Sequence, residues 1–216
     1  MKKLLLVVVL IGFSLFSALF LIKNKKETQN FLKGGEKKMR TEKFGKILMV
    51  LAPKNFRDEE YQKPRKVLEA MGLMVTVASK GTNEAIGMLG AKAKVDLDLS
   101  QVKIDDYLGV VFVGGNGAAS YFNDKDALSL AREAFEKGKI VGAICIAPSI
   151  LANAGVLSGK KATAFYSEEK NLTEKGAIYT GEPVTINGKI VTANGPSAAE
   201  EFGRKLGEVV KSLGRD

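Results

Sequence analysis

Histidine and tryptophan are absent from this chain, and cysteine occurs once, at Cys145. Without an imidazole the chain alone can build no Ser-His-Asp or Cys-His nucleophile pair, no imidazole proton shuttle and no His-ligated zinc site. A lone cysteine closes no internal disulfide and forms no thiolate cluster for a metal. Acid-base chemistry therefore falls to carboxylates, Lys, Tyr or that one thiol, and neither a metal nor another cofactor is expected. What remains is an ordinary globular composition, 45% hydrophobic and 26% charged over 216 residues. That length suits one domain with an appendage.

The formal net charge of +9 is unevenly spread. Nine of the 33 Lys and Arg and two of the 24 Asp and Glu lie in residues 1–40, which leaves 24 against 22, or +2, for residues 41–216. A nearly balanced domain with alternating charges, such as Glu133, Glu136, Lys137 and Lys139, reads as a solvated helix face. No nucleic-acid partner is expected.

Leu4 to Ile22 is a run of 19 uncharged residues flanked by Lys2, Lys3 and by Lys23, Lys25, Lys26. As a helix it would just span a bilayer of roughly 30 Å. A cleaved secretory signal is the alternative, but Phe16-Ser17-Ala18 puts a bulky residue where a small one is wanted. The expectation is an uncleaved anchor over residues 1–22, a basic linker over 23–44 and a domain over 45–216. Seven Lys and Arg between Lys23 and Arg40 place that domain on the cytoplasmic side of a single-pass membrane protein. If translation starts instead at Met39, the product is soluble and cytoplasmic.

From Gly45 onward, nearly continuous apolar runs alternate with helical patterns. Lys46–Ala52, Leu73–Ser79, Leu108–Val113, Ile140–Ile144 and Ile190–Ala193 read as strands buried on both faces. Asp58–Met71, Asp124–Lys137, Ala147–Ala154 and Ser197–Leu213 read as helices, with Pro64 tightening the first or marking its start. Gly87–Leu99 and Val184–Val191 read as hairpins, the second turning at Asn187-Gly188. The pattern predicts an α/β fold, a doubly wound and mostly parallel sheet sandwiched by helices, with sites at strand C-termini.

Three segments could carry chemistry. Cys145 ends a buried strand and precedes a helix containing Pro148, the corner at which a nucleophile elbow exposes its reactive atom. A helix N-terminus there is expected to lower the thiol pKa; a small buried hydrophobe is the plain alternative. Gly114-Gly115-Asn116-Gly117 follows another buried strand, and its glycines could aim amides at a developing oxyanion. The acidic group Asp58, Glu59, Glu60 follows the first strand. Helix-dipole stabilisation accounts for Asp58 and Glu59 and leaves Glu60 open.

Taken together, Ala143-Ile-Cys-Ile-Ala-Pro148, Gly114-Gly115 and Phe56-x-Asp58-x-Glu60-x-x-x-Pro64 resemble the ThiJ/PfpI family. That family has a flavodoxin-like, class I glutamine amidotransferase-like fold and includes deglycase-like and intracellular protease-like members. The resemblance implies Cys145 as nucleophile, Glu60 as the carboxyl that hydrogen-bonds its sulfur, and the amides of Gly115 and Ile146 as the oxyanion hole. It also implies self-association as a homodimer or higher homo-oligomer. Two departures stand out: Ile146 follows the cysteine where protease-like members have His, and Phe165 stands where deglycase-like members have His. Phe165, Tyr166 and Asn194 are the candidates for lining a pocket. The expected function is that of a stress-response protein with a reactive cysteine. It would have weak glyoxalase, deglycase or small-amidase activity on a small carbonyl or amide substrate, or act as a non-enzymatic redox sensor or chaperone. Peptidase activity is not expected without histidine.

Overall fold

The computed structural model describes residues 44–213. Seven strands form one sheet in the order β11-β12-β8-β7-β1-β3-β6. These are β1 (Phe44–Val50), β3 (Leu73–Ser79), β6 (Leu97–Asp98), β7 (Gly109–Phe112), β8 (Ile140–Ile144), β11 (Val184–Asn187) and β12 (Ile190–Ala193). All neighbours run parallel except β11, which folds back on β12. Within β1, Leu48 and Val50 enter one buried cluster, while Ile47 and Met49 enter the other. Side chains alternate across a strand, so a strand apolar at every position needs a layer of helices on each face, and it has them.

Helices α1 (Asp58–Ala70) and α5 (Ala199–Ser212) pack together on one face, while α2 (Lys125–Glu136) and α3 (Pro148–Asn153) pack on the other, with α4 (Glu169–Glu174) against α3. Tyr61, Pro64 and Leu68 give α1 its buried stripe, and Phe202, Leu206 and Val210 do so for α5. Pro64 is accommodated inside α1, although its missing amide removes a hydrogen bond to the Glu60 carbonyl, four residues earlier. The two helices approach closely because Gly203 faces Pro64; a Cβ on Gly203 would lie 2.8 Å from the Pro64 Cα.

The hairpin expected over Val184–Val191 forms, whereas the one expected over Gly87–Leu99 is displaced toward the N-terminus and does not include Val95, Leu97 or Leu99. β4 (Glu84–Gly87) pairs antiparallel with β5 (Lys92–Lys94) in a small sheet shared with β2 (Lys54–Phe56), whereas β6 joins the main sheet beside β3. In the second hairpin Asn187 pairs with Ile190, so Gly188 and Lys189 are the turn residues. Gly188, with φ of +60°, stands at the position where a type II′ turn requires glycine. β9 (Lys161–Ala162) and β10 (Ile178–Tyr179) make a separate parallel pair.

The expected membrane-spanning helix needs correction. Among the described residues no helix is long and apolar enough to cross a membrane. The longest, α5, has 14 residues, about 21 Å against a hydrocarbon core of roughly 30 Å, and it carries charge on its outer side. The described residues thus form an α/β domain without a membrane-spanning helix, which overturns the single-pass membrane expectation. Leu4–Ile22, on which that expectation rested, lies outside the described residues, as do Met39 and the linker except for Phe44, which opens β1.

Candidate active site

The chain adds strands outward from β1 in one direction through β3 and β6 and then in the other from β7 through β8 and β12, and the crevice at the carboxyl ends of the strands at such a switch point is where α/β folds bind ligands. Three connections meet there: Leu51–Arg57 after β1, Gly114-Gly115 after β7, and Cys145 after β8. Cys145 adopts φ of +65°, a left-handed conformation that costs a residue with a Cβ roughly 1–2 kcal/mol. Its backbone is held on both sides. The Cys145 N–H donates to the Ala193 carbonyl at 2.9 Å, and the Phe165 N–H donates to the Cys145 carbonyl at 2.8 Å. An L-residue fixed in this region at a strand-to-helix corner is a mark of function. Cys145 is half-buried.

The glycine turn brings the third element in. A Cβ on Gly114 would lie 2.4 Å from Glu60 Oε2 and 2.6 Å from the Cys145 Cβ, so only a hydrogen atom separates the carboxyl from the elbow. Gly115, at φ of +94°, is pressed onto the segment before α1, where a Cβ would lie 2.3 Å from the Arg57 nitrogen. Arg57 N–H donates to the Gly114 carbonyl at 3.0 Å, which fixes the start of α1 and therefore Glu60, in its first turn. Asn55 supports this approach with its own left-handed φ of +60°.

Glu60 is fully buried, and neither oxygen has a hydrogen-bond partner of regular geometry among the described residues. Burial pushes its pKa up to about 7, against the opposing pull of the Cys145 thiol and of Arg57. The Arg57 guanidinium is engaged elsewhere, with its Nε 2.7 Å from Glu59 Oε2. The thiol does not follow the helix-dipole expectation. Burial, and then the negative charge of Glu60, push the Cys145 pKa up to about 12, while the amides of Gly115 and Ile146 pull the other way. The helix is too short and too late to prevail: α3 has six residues and starts at Pro148. Cys145 and Glu60 therefore titrate as a pair. One proton leaves near neutrality, and the second is held to much higher pH.

Of the sequence candidates, Cys145, Glu60, Gly115 and Ile146 converge here. Phe165 is tied to the elbow through its amide, and Asn194 follows Ala193, the acceptor for the Cys145 amide. Tyr166 packs against Phe165 at a tilt of 42°, with ring centroids 4.5 Å apart, but is 75% exposed, so it stands at the rim. Sequence reasoning overlooked Ser149 and Glu168. Ser149 Oγ donates to Glu168 Oε2 at 2.5 Å, which clamps the Phe165–Glu168 turn to α3. It also assigned Asp58 to the helix dipole alone, whereas the Asp58 carboxylate accepts the amides of Leu89 at 2.9 Å and Ala91 at 2.7 Å. Those contacts span the fold and leave no trace in local spacing. Asn55 did carry a signal, because asparagine is enriched in left-handed positions.

Residues 45–209 match the model of the DJ-1/PfpI family. The chain belongs to that family. Among DJ-1/PfpI relatives, it is 39% identical over 211 residues to the uncharacterised protein MJ0967 of Methanocaldococcus jannaschii, with 96% of each chain covered. It is 29% identical to the deglycase PfpI of Pyrococcus furiosus, covering 76% of this chain and 99% of that one. The crystal structure of a ThiJ/PfpI domain protein from Brachyspira murdochii superposes with a TM-score of 0.76 at 34% identity, over 77% of this chain and 96% of that one. In this DJ-1/PfpI chain the residue after the elbow cysteine is the apolar Ile146, packed against the core.

Proposed function

We propose that this protein performs cysteine-dependent chemistry on a small carbonyl compound, within a stress-response role, with Cys145 as nucleophile and Glu60 as the sole proton carrier. The observation that carries this reading is the contact between the elbow cysteine and a buried carboxyl whose pKa, about 7, suits general acid-base work near neutral pH. In the addition step Sγ bonds to the carbonyl carbon, the thiol proton passes to the Glu60 carboxylate, and the Gly115 and Ile146 amides receive the developing oxyanion. Glu60 then returns its proton to that oxygen, giving a neutral hemithioacetal. The P. furiosus relative is called a deglycase, which supports an aldehyde-type substrate. Phe165 and Asn194 would line the approach, and a homo-oligomer is part of the proposal.

Lost acid-base assistance typically costs about 100- to 10,000-fold, so slow turnover is expected where relatives have a histidine. Methylglyoxal consumption by wild type, Cys145→Ser and Glu60→Gln tests the proposal. Slow turnover in the wild type, abolished in both variants, is the expected outcome. A second reading rests on the unpartnered Glu60 oxygens, which could hydrogen-bond an oxidised sulfur. One-to-one oxidation of Cys145 by peroxide to the sulfenate, releasing water, without any methylglyoxal turnover would favour that reading instead.

A further inference from the structure

At the opposite edge of the sheet from Cys145, a cavity of about 260 Å³ opens between the turn after α2 and the β11–β12 hairpin. Lys139, Lys160 and Lys189 line it, with Phe135, Asn187 and Ile190 completing the wall. Lys139 and Lys189 arrive together for a topological reason. Each immediately precedes a strand, β8 or β12, and these strands are parallel neighbours with Ile190 opposite Val141. Cys145 follows the other end of β8, about 16 Å away along a five-residue strand.

Among the described residues, none of the three lysines forms an ion pair, whereas the adjacent Lys137 holds both Asp105 and Glu133. Lys189 Nζ donates to the Gly138 carbonyl at 2.9 Å, and Lys139 Nζ donates to the Tyr107 carbonyl at 2.8 Å and the Asp105 carbonyl at 3.4 Å. Lys160 Nζ sits 5.5 Å from the centroid of the Phe135 ring. These contacts orient the ammonium groups; Lys139 also feels the nearby Asp105 carboxylate, whereas Lys160 and Lys189 form no ion pair among the described residues. An ammonium has three N–H donors, so Lys160 and Lys189 keep donors free to face the cavity. Three like charges around one concavity repel each other, and an anion with several oxygens would relieve that repulsion while accepting those donors.

We propose that this cavity binds a small phosphate-bearing molecule. Lysines act as point charges that suit a phosphate dianion, and the apolar wall of Phe135 and Ile190 accommodates a short carbon skeleton. The volume lies just below the usual range for ligand pockets, which starts at about 300 Å³, so a small phosphate ester fits better than a nucleotide. The inference is independent of the cysteine chemistry.

Isothermal titration of the full chain with glycerol 3-phosphate, inorganic phosphate and citrate tests it. Saturable binding is expected for the two phosphates, weakened at least tenfold in the double variant Lys160→Gln/Lys189→Gln and changed less than twofold in Lys63→Gln/Lys66→Gln. The second pair removes the same charge from the exposed face of α1. Equal losses in both variants would assign the binding to net charge, and citrate binding as tightly as phosphate would remove the phosphate preference; either result overturns the proposal. Should the first variant fail to fold, amide shifts in the wild type decide. Shifts at Gly138, Lys139 and Gly188–Ile190 on adding phosphate support the site, and their absence at 10 mM phosphate overturns it.

Discussion

At the scale of single residues, Glu60 decides what the site can do. A carboxyl held at about 7 instead of its usual 4.5 keeps its proton in the folded state after the unfolded chain has lost it. Stability therefore falls as pH rises from about 4.5 to 7 and is flat beyond, with a total of roughly 3 kcal/mol. Urea unfolding at pH 4.5 and pH 7.5 should show that loss in the wild type and not in Glu60→Gln. The same substitution removes the charge that helps hold the thiol at about 12. Alkylation of Cys145 by iodoacetamide at pH 8.5 should consequently be faster in Glu60→Gln than in the wild type; an equal or slower rate would show that Glu60 does not govern the thiol. Gly114 tolerates no side chain. Gly114→Ala should cost roughly 1–3 kcal/mol by overpacking and change the Cys145 alkylation rate, because the new methyl can fit only by parting the carboxyl from the elbow.

At the scale of elements, α1 matters more than its length suggests, since it delivers Glu60 into the crevice and is itself positioned from two directions. Its start is fixed by the Arg57 amide on the Gly114 carbonyl, and its buried face rests on α5 where Pro64 meets Gly203. A methyl at Gly203 would meet backbone, the Pro64 Cα at 2.8 Å, and not the movable end of a side chain. Gly203→Ala should destabilise the domain by roughly 1–3 kcal/mol. It should also alter Cys145 reactivity although the substituted residue touches neither Cys145 nor Glu60. A thermal melt paired with an alkylation assay checks both effects, and unchanged reactivity would show that α1 is placed by the Gly114 contact alone.

At the scale of the whole molecule, the sheet separates two kinds of site. Its carboxyl edge gathers the elbow, the glycine turn and α1; its amino edge gathers the three lysines. The unit from Lys43 to Asp216 carries its own two-faced core. A fragment of residues 39–216 should therefore melt cooperatively at a temperature within a few degrees of the full chain; a broad or markedly lower transition would refute independent folding. The large strands and four of the five α-helices among the described residues were legible because apolar runs and 3.6-residue stripes are local signals. The short pair β9–β10 and the rerouting of β6 were not, because two-residue strands are defined by their partners.

The sequence by itself determined the chemistry on offer: one thiol, no imidazole, a strand-to-helix corner at Cys145, and a nearly neutral domain after a basic stretch in residues 1–40. Those are properties of composition and of short-range pattern. Only the tertiary structure decided that Glu60 is buried beside Cys145 and that the thiol pKa rises where a helix N-terminus alone would lower it. Both depend on burial and on a neighbour 85 positions away in the chain, brought close by a glycine turn from a third strand. The gathering of Lys139, Lys160 and Lys189 has the same origin, since parallel strands set residues far apart in sequence side by side along one edge.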